Sequence, residues 1–223
     1  MRVRRLAAVF AACLALGLEL DQPTADAALK EALRVGAKTA VEQTSRTDGF
    51  LRNPEIRIPI PDELKPMASG LRGIGLRGQI DEFELALNRS AENAAGEAFE
   101  VFSGAIAQLK PADARALLQG GDIAATEYLR QTTLEDLRAR FMPIAQRGMR
   151  KAGLVPAYER LLEHWRALPQ AARPDVELDA YITDKTLEGL FLVLGEQERR
   201  IRSDPAARTS DLLRRAFGAR SPS

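Results

Sequence analysis

The chain of 223 residues has one cysteine, one histidine, one tryptophan and only 5% aromatic residues, and its charges nearly cancel. Each shortage excludes something. Zinc sites need several nitrogen or sulfur ligands, which a lone His164 and a lone Cys13 do not supply. The same scarcity removes serine and cysteine triads built on histidine, and no nucleophile motif stands near His164, which is read as a surface or partly packed helix residue. Few aromatic rings leave few platforms for stacking bases. The 32 basic residues fall to 29 once Arg2, Arg4 and Arg5 are set aside, against 31 acidic ones. A near-neutral body of this kind lacks the basic excess that nucleic-acid binding needs, so no nucleic-acid partner is expected. No amphipathic segment is strongly basic, which argues against avid binding to anionic lipid.

What is present begins with residues 1–18, MRVRRLAAVFAACLALGL. A basic head, an apolar run over residues 6–18 and acidic residues at Glu19 and Asp21 have the layout of a secretory signal peptide. The run is shorter than the roughly 20 residues a spanning helix needs. Two cleavage sites fit. Cleavage after Ala12 makes Phe10-Ala11-Ala12-Cys13 a lipobox with Cys13 as lipid anchor, whereas cleavage after Gly17 releases a free protein starting at Leu18. Only about seven apolar residues precede Cys13 and the residues after it stay apolar, which weakens the lipobox reading; Arg4-Arg5 fits a twin-arginine signal poorly. In both cases the expected location is the periplasm, free or tethered, with membrane contact only through an anchor at Cys13. Disulfides are excluded from the mature fold.

Helical periodicity dominates the rest, and the expected class is all-α: residues 19–218 as one compact multi-helix domain, followed by a loose tail at 219–223. Thr24 reads as the N-cap of a first helix carrying an alanine- and leucine-rich stripe. Residues 45–61 break the pattern. Their prolines remove backbone donors, so this segment is expected as an extended loop laid across the helices with Ile56, Ile58 and Ile60 inward. A short helix over 62–71 leads to the glycines at 70, 73, 75 and 78. That cluster superficially resembles a dinucleotide loop, but no strand precedes it, so it reads as a turn.

One long helix is expected from Ile80 to Leu109, its small alanines implying close packing, and another over 111–119. Asp122 is expected to cap the next helix after Gly120-Gly121, and Thr132 with Glu135 to form a capping box for a helix ending at Gly153. A helix over 154–168 and a proline-containing loop over 169–174 follow. LEGLFLVL at 187–194 is apolar nearly all round and marks a central buried helix over 178–202. Asp204-Pro205 is expected to open a terminal helix through Phe217.

Carboxylates carry the only chemistry worth weighing. Glu84, Asn88 and Glu92 recur every four residues as one polar row, with Arg89 beside it. On the central helix Glu188 is expected to be partly buried and to need Lys185 or Arg89 as partner. Asn88, Arg89, Glu92, Lys185 and Glu188, with Asn53 of the loop, form the candidate ligand-binding set; no catalytic residue, metal or cofactor is indicated.

Several stretches together resemble one bacterial family: GFLRNPEIRIPIP at 49–61, NRSAE at 88–92, GGD at 120–122 with AAT at 124–126, AYIT at 180–183, LEGLF at 187–191, and Ile201-Arg202. They are similar to domain of unknown function 4197 over essentially the whole mature chain. The resemblance implies an exported, all-helical protein and carries no catalytic residues with it. The leading expectation is therefore an envelope protein that binds a partner protein or small ligand without catalysis, in a cleft covered by the proline-rich loop. The alternative is a carboxylate-dependent hydrolase or lyase acting on cell-wall glycan through residues such as Glu188 and Glu92.

Overall fold

A computed structural model describes residues 20–112, 114–169 and 174–218. The signal segment, the anchor at Cys13, the tail at 219–223 and most of the proline loop at 169–174 lie outside the described residues. Among those described there are nine α-helices and no strand: α1 (Gln22–Thr44), α2 (Lys65–Gly73), α3 (Arg77–Ala95), α4 (Ala98–Gln108), α5 (Ala114–Gln119), α6 (Ala124–Ala152), α7 (Leu154–Arg166), α8 (Leu178–Ser203) and α9 (Asp211–Gly218). No described helix is long and apolar enough to cross a membrane.

Helix α8 is the axis of the molecule, and α1, α3, α6 and α9 pack around it. Leu187, Leu190, Phe191, Val193 and Leu194 are all buried there. The cover is incomplete in one direction. Asp184, Glu188 and Leu192 follow one another every four residues and face out, because a 100° step per residue lines them up on one side. Glu188 is therefore exposed, contrary to its expected burial.

The tightest helix contact joins α3 to α6. A Cβ built on Gly148 of α6 would stand 2.5 Å from the Ser90 carbonyl oxygen of α3 and 3.3 Å from the Ala94 Cβ. Backbone cannot step aside as a side-chain tip can. Gly148→Ala is therefore expected to cost about 2–3 kcal/mol through overpacking. Gly104 of α4 has open space where its Cβ would be, and Gly104→Ala should gain about 0.5–1 kcal/mol from helix propensity alone. Urea midpoints of the two variants, moving in opposite directions, check the pair.

Several expected boundaries move, each for a local reason. Asp21, not Thr24, caps α1: its carboxylate accepts the Thr24 amide at 2.9 Å. The expected long helix breaks at Gly96, where Glu97 N–H turns back to the Ala94 carbonyl in a tighter bond; glycine resists helix interiors most after proline. The expected helices over 62–71 and 111–119 become a 3-10 turn at Asp62–Leu64 followed by α2, and the six-residue α5.

Asp122 does not cap α6. It lies at the surface, 3.8 Å from Arg199, and Ile123 at the N-cap position has no capping side chain of its own. Nor is Thr132 a helix start. It lies inside a continuous α6, its hydroxyl donating back to the Tyr128 carbonyl at 2.7 Å, the common fate of a mid-helix threonine. Gly153 does close α6, in the left-handed conformation at φ 68°. The terminal helix is interrupted at Arg208, whose guanidinium folds back onto the carbonyls of Ile201 and Arg202 at the end of α8.

Candidate functional site

The polar row on α3 grips the segment between α1 and α2. Asn88 is fully buried and reads the backbone of Ile58 twice, accepting from its N–H and donating to its carbonyl, both at 2.9 Å. One turn earlier, Glu84 pairs with Arg57 at 2.7 Å. One turn later, a Glu92 oxygen accepts the N–H groups of Phe50 and Leu51, each at 3.2 Å. Arg89 bridges the other Glu92 oxygen to Asp48, and Asp48 also holds Arg52. Those two carboxylates raise the Arg89 pKa further, with Glu92 contributing most. Asp48 adopts φ 66°, a left-handed turn that aspartate tolerates better than most residues. Asn53 accepts the Glu55 amide at 3.1 Å, a local turn.

Segment 45–61 is thus a strap with no strand partner, its backbone groups satisfied partly by its own turns and partly by side chains of α3 and α8. Ile56, Ile58 and Ile60 point inward as expected. Phe50 is wholly buried against α8, and a Cβ on Gly189 would lie 2.7 Å from its ring. The strap fills the space it was expected to cover. Asn88, Arg89 and Glu92 come together on α3 and their polar atoms hold the strap, whereas the side chain of Asn53 makes only a local turn within it.

Lys185 and Glu188 do not join them. They pair with each other at 2.8 Å on the outward strip of α8. Glu92 is 4% exposed while the Glu188 side chain is 55% exposed, so the two carboxyls share no open cleft. His164 is exposed on α7. Among the described residues no group of three or more His, Cys, Asp or Glu side chains is placed to hold a metal.

Two further contacts tie the strap to α8. The Tyr181 hydroxyl donates to the Pro59 carbonyl at 2.9 Å; burial, with smaller contributions from Asp62, Glu63 and Glu188, pushes its pKa to about 12. Glu196 hydrogen-bonds to Glu55, and its pKa rises above the ordinary 4.5, through partial burial first and the Glu55 carboxyl second, with Arg199 opposing. A carboxyl with a raised folded-state pKa holds its proton more firmly when folded. Its contribution to stability is present below the ordinary carboxylate range and is lost as pH rises through the folded pKa. Glu196→Gln is expected to raise Tm at about pH 7 and to leave it unchanged near pH 4, read by paired thermal melts.

One open concavity among the described residues lies on the other side of α8. A groove of about 290 Å³ runs between α6 and α8, lined by Arg130, Leu134, Glu135 and Arg138 from one helix and Asp184, Leu187, Glu188 and Phe191 from the other. Phe191 and Leu187 make its apolar floor, and the Arg130 guanidinium lies over the Phe191 ring at 5.9 Å from the centroid. Arg138 forks onto both oxygens of Asp184, which raises its pKa. Glu188 is answered by Lys185. Among the described residues, Arg130 and Glu135 have no ion-pair partner.

The sequence singled out Glu188, expected as partly buried and grouped with the residues under the strap, and gave no sign of the α6 wall. Arg130, Leu134 and Arg138 recur every four residues, a signal hidden once the helix is started at Thr132 instead of Ala124.

No curated protein and no solved structure matches the chain. The model of the family described as Protein of unknown function (DUF4197) matches residues 19–218. That match spans the whole helical body from before α1 to the end of α9, so the chain belongs to the DUF4197 family.

Proposed function

We propose that this chain is an exported envelope protein that binds a partner protein or a small ligand without catalysing a reaction, and that the groove between α6 and α8 is where it binds. The observation that carries the binding site is the groove itself: about 290 Å³, near the lower bound of ligand pockets, with an apolar floor and charged groups on its rim. Export rests on the basic head and apolar run of residues 1–18. Nothing in the geometry favours the glycan hydrolase: Glu92 accepts from two amides and Arg89, and has no path to substrate beneath the strap.

The experiment is native mass spectrometry and crosslinking of protein purified from the envelope fraction, with sequencing of its mature N-terminus. Expected are a retained small molecule or a crosslinked partner mapping to α6 and α8, and a chain beginning at lipidated Cys13 or at Leu18. A bare monomer without crosslinks would overturn the binding function, and an unprocessed chain in the cytoplasm would overturn export.

A further inference from the structure

We propose that the end of the molecule where the α2–α3 turn meets the end of α7 rests on the surface of an anionic lipid bilayer. Ile74 lies in that turn and is 55% exposed, more than Leu85, Val155 and Leu192, the other exposed large apolar side chains among the described residues. Those three lie within helices, whereas Ile74 lies between two. Gly75 turns the chain at φ 90°, and Cβ atoms built on Gly73, Gly75 and Gly78 would meet nothing within 4 Å, so the turn stands clear of the rest of the fold.

The end of α7 lies beside it. A Cβ on Gly70, in the last turn of α2, would stand 2.8 Å from the Trp165 ring, and Leu76 of the turn and Leu168 just past α7 are, like Trp165, only partly buried. Tryptophan is enriched where a bilayer meets water, because its ring is apolar with one polar edge.

Charge selects the surface. Arg72 and Arg77 flank Ile74 in sequence and Arg166 follows Trp165; all three are exposed, and none is ion-paired among the described residues. The carboxylates of Asp81, Glu82 and Glu163 lie about one turn further back along α3 and α7, and Glu82 is answered by Arg160 at 3.4 Å. Three unanswered guanidiniums around an apolar tip match a layer of phosphate-bearing headgroups over acyl chains, and each cation near such a surface strengthens attachment about fivefold. No single helix is both amphipathic and strongly basic. The combination exists only where the turn and α7 meet.

Trp165 is the one tryptophan of the chain, so its fluorescence reads this end and no other. The mature protein purified from the envelope fraction is mixed with vesicles of phosphatidylcholine alone, or of one part phosphatidylglycerol to two parts phosphatidylcholine, each with plain or brominated acyl chains. Brominated vesicles containing phosphatidylglycerol are expected to quench Trp165 well beyond those of phosphatidylcholine alone, and the difference should vanish at about 0.5 M salt, where charges are screened within a few ångströms. Taking the difference between compositions removes any quenching that a lipid on Cys13 would cause with both. Ile74→Asp should cut the difference at least fivefold, as should Arg72→Gln combined with Arg77→Gln. Val155→Asp, an exposed apolar site at the start of α7, should leave it unchanged. All four positions are exposed, and circular dichroism checks that the variants stay folded.

No quenching with either composition, equal quenching with both, or indifference to Ile74→Asp and to the paired arginine substitutions would each overturn the inference. A protein photocrosslinked at position 74 in the envelope, with vesicles leaving Trp165 unchanged, would assign this end to a protein partner and overturn it too. None of these outcomes bears on the α6–α8 groove.

Discussion

Glu198→Ala is expected to lower stability by about 3–5 kcal/mol, the cost of removing one partner from a buried ion pair. Glu198 is 2% exposed, and its carboxylate does two things at once. It accepts the Ala125 amide at 3.0 Å and the Thr126 amide and hydroxyl at 2.8 and 2.6 Å, capping α6 from another helix. It also pairs with Arg202 at 2.6 Å one turn along α8. Arg202 is 7% exposed and donates onward to the carbonyls of Leu118 and Leu117 at the end of α5. The pair therefore joins the end of α5 and the start of α6 to the central helix.

Alanine at 198 orphans two helix-start amides and leaves a buried guanidinium holding carbonyls only. For a domain of this size about 2–4 °C of Tm follows each kcal/mol, so a fall of roughly 6–20 °C is expected by differential scanning calorimetry. Glu198→Gln should be milder, since an amide oxygen can still accept from the α6 amides. A Tm within 2 °C of the parent for the alanine variant would show that the capping arrangement contributes little.

Glu92→Ala is expected to cost about 3 kcal/mol and to free one end of the strap. The loss combines unsatisfied Phe50 and Leu51 amides with an Arg89 left to Asp48 alone. Asn88 and the Glu84–Arg57 pair still hold the other end, so the strap should open first around Phe50. Limited proteolysis reads this directly. The expectation is new cleavage within residues 46–57 at protease concentrations that leave the parent intact, together with a lower urea midpoint. A lower midpoint without strap cleavage would mean that Glu92 supports the fold as a whole rather than the strap.

These two carboxylates mark how far a single chain can be read. Glu92 was visible as part of a polar row, since four-residue spacing on a helix is a one-dimensional signal. Its partners were not visible, because Phe50 and Leu51 lie some 40 residues away and offer backbone amides, which every sequence has everywhere. Glu198 carried no signal beyond a charged helix end, and yet it starts α6. Reading the cap locally put it on Asp122 and then on Thr132, which displaced the helix start and hid the wall formed by Arg130, Leu134 and Arg138. Asp21 in place of Thr24 is a smaller error of the same kind. The Gly96 break was missed because the apolar stripe carries on through it.

The sequence by itself determined the helical class, the membership in DUF4197, the inward isoleucines of the strap and the central helix α8, predicted over 178–202 and found at Leu178–Ser203. Membership rests on the matched stretches of sequence, such as GFLRNPEIRIPIP at 49–61; the others rest on local periodicity or on composition, which survive without knowledge of neighbours. Only the tertiary structure decided which groups satisfy the strap and the start of α6, that Glu188 faces out, and that a groove opens between α6 and α8. Those outcomes depend on which distant residue supplies a hydrogen bond or covers a face, and that is settled when helices pack.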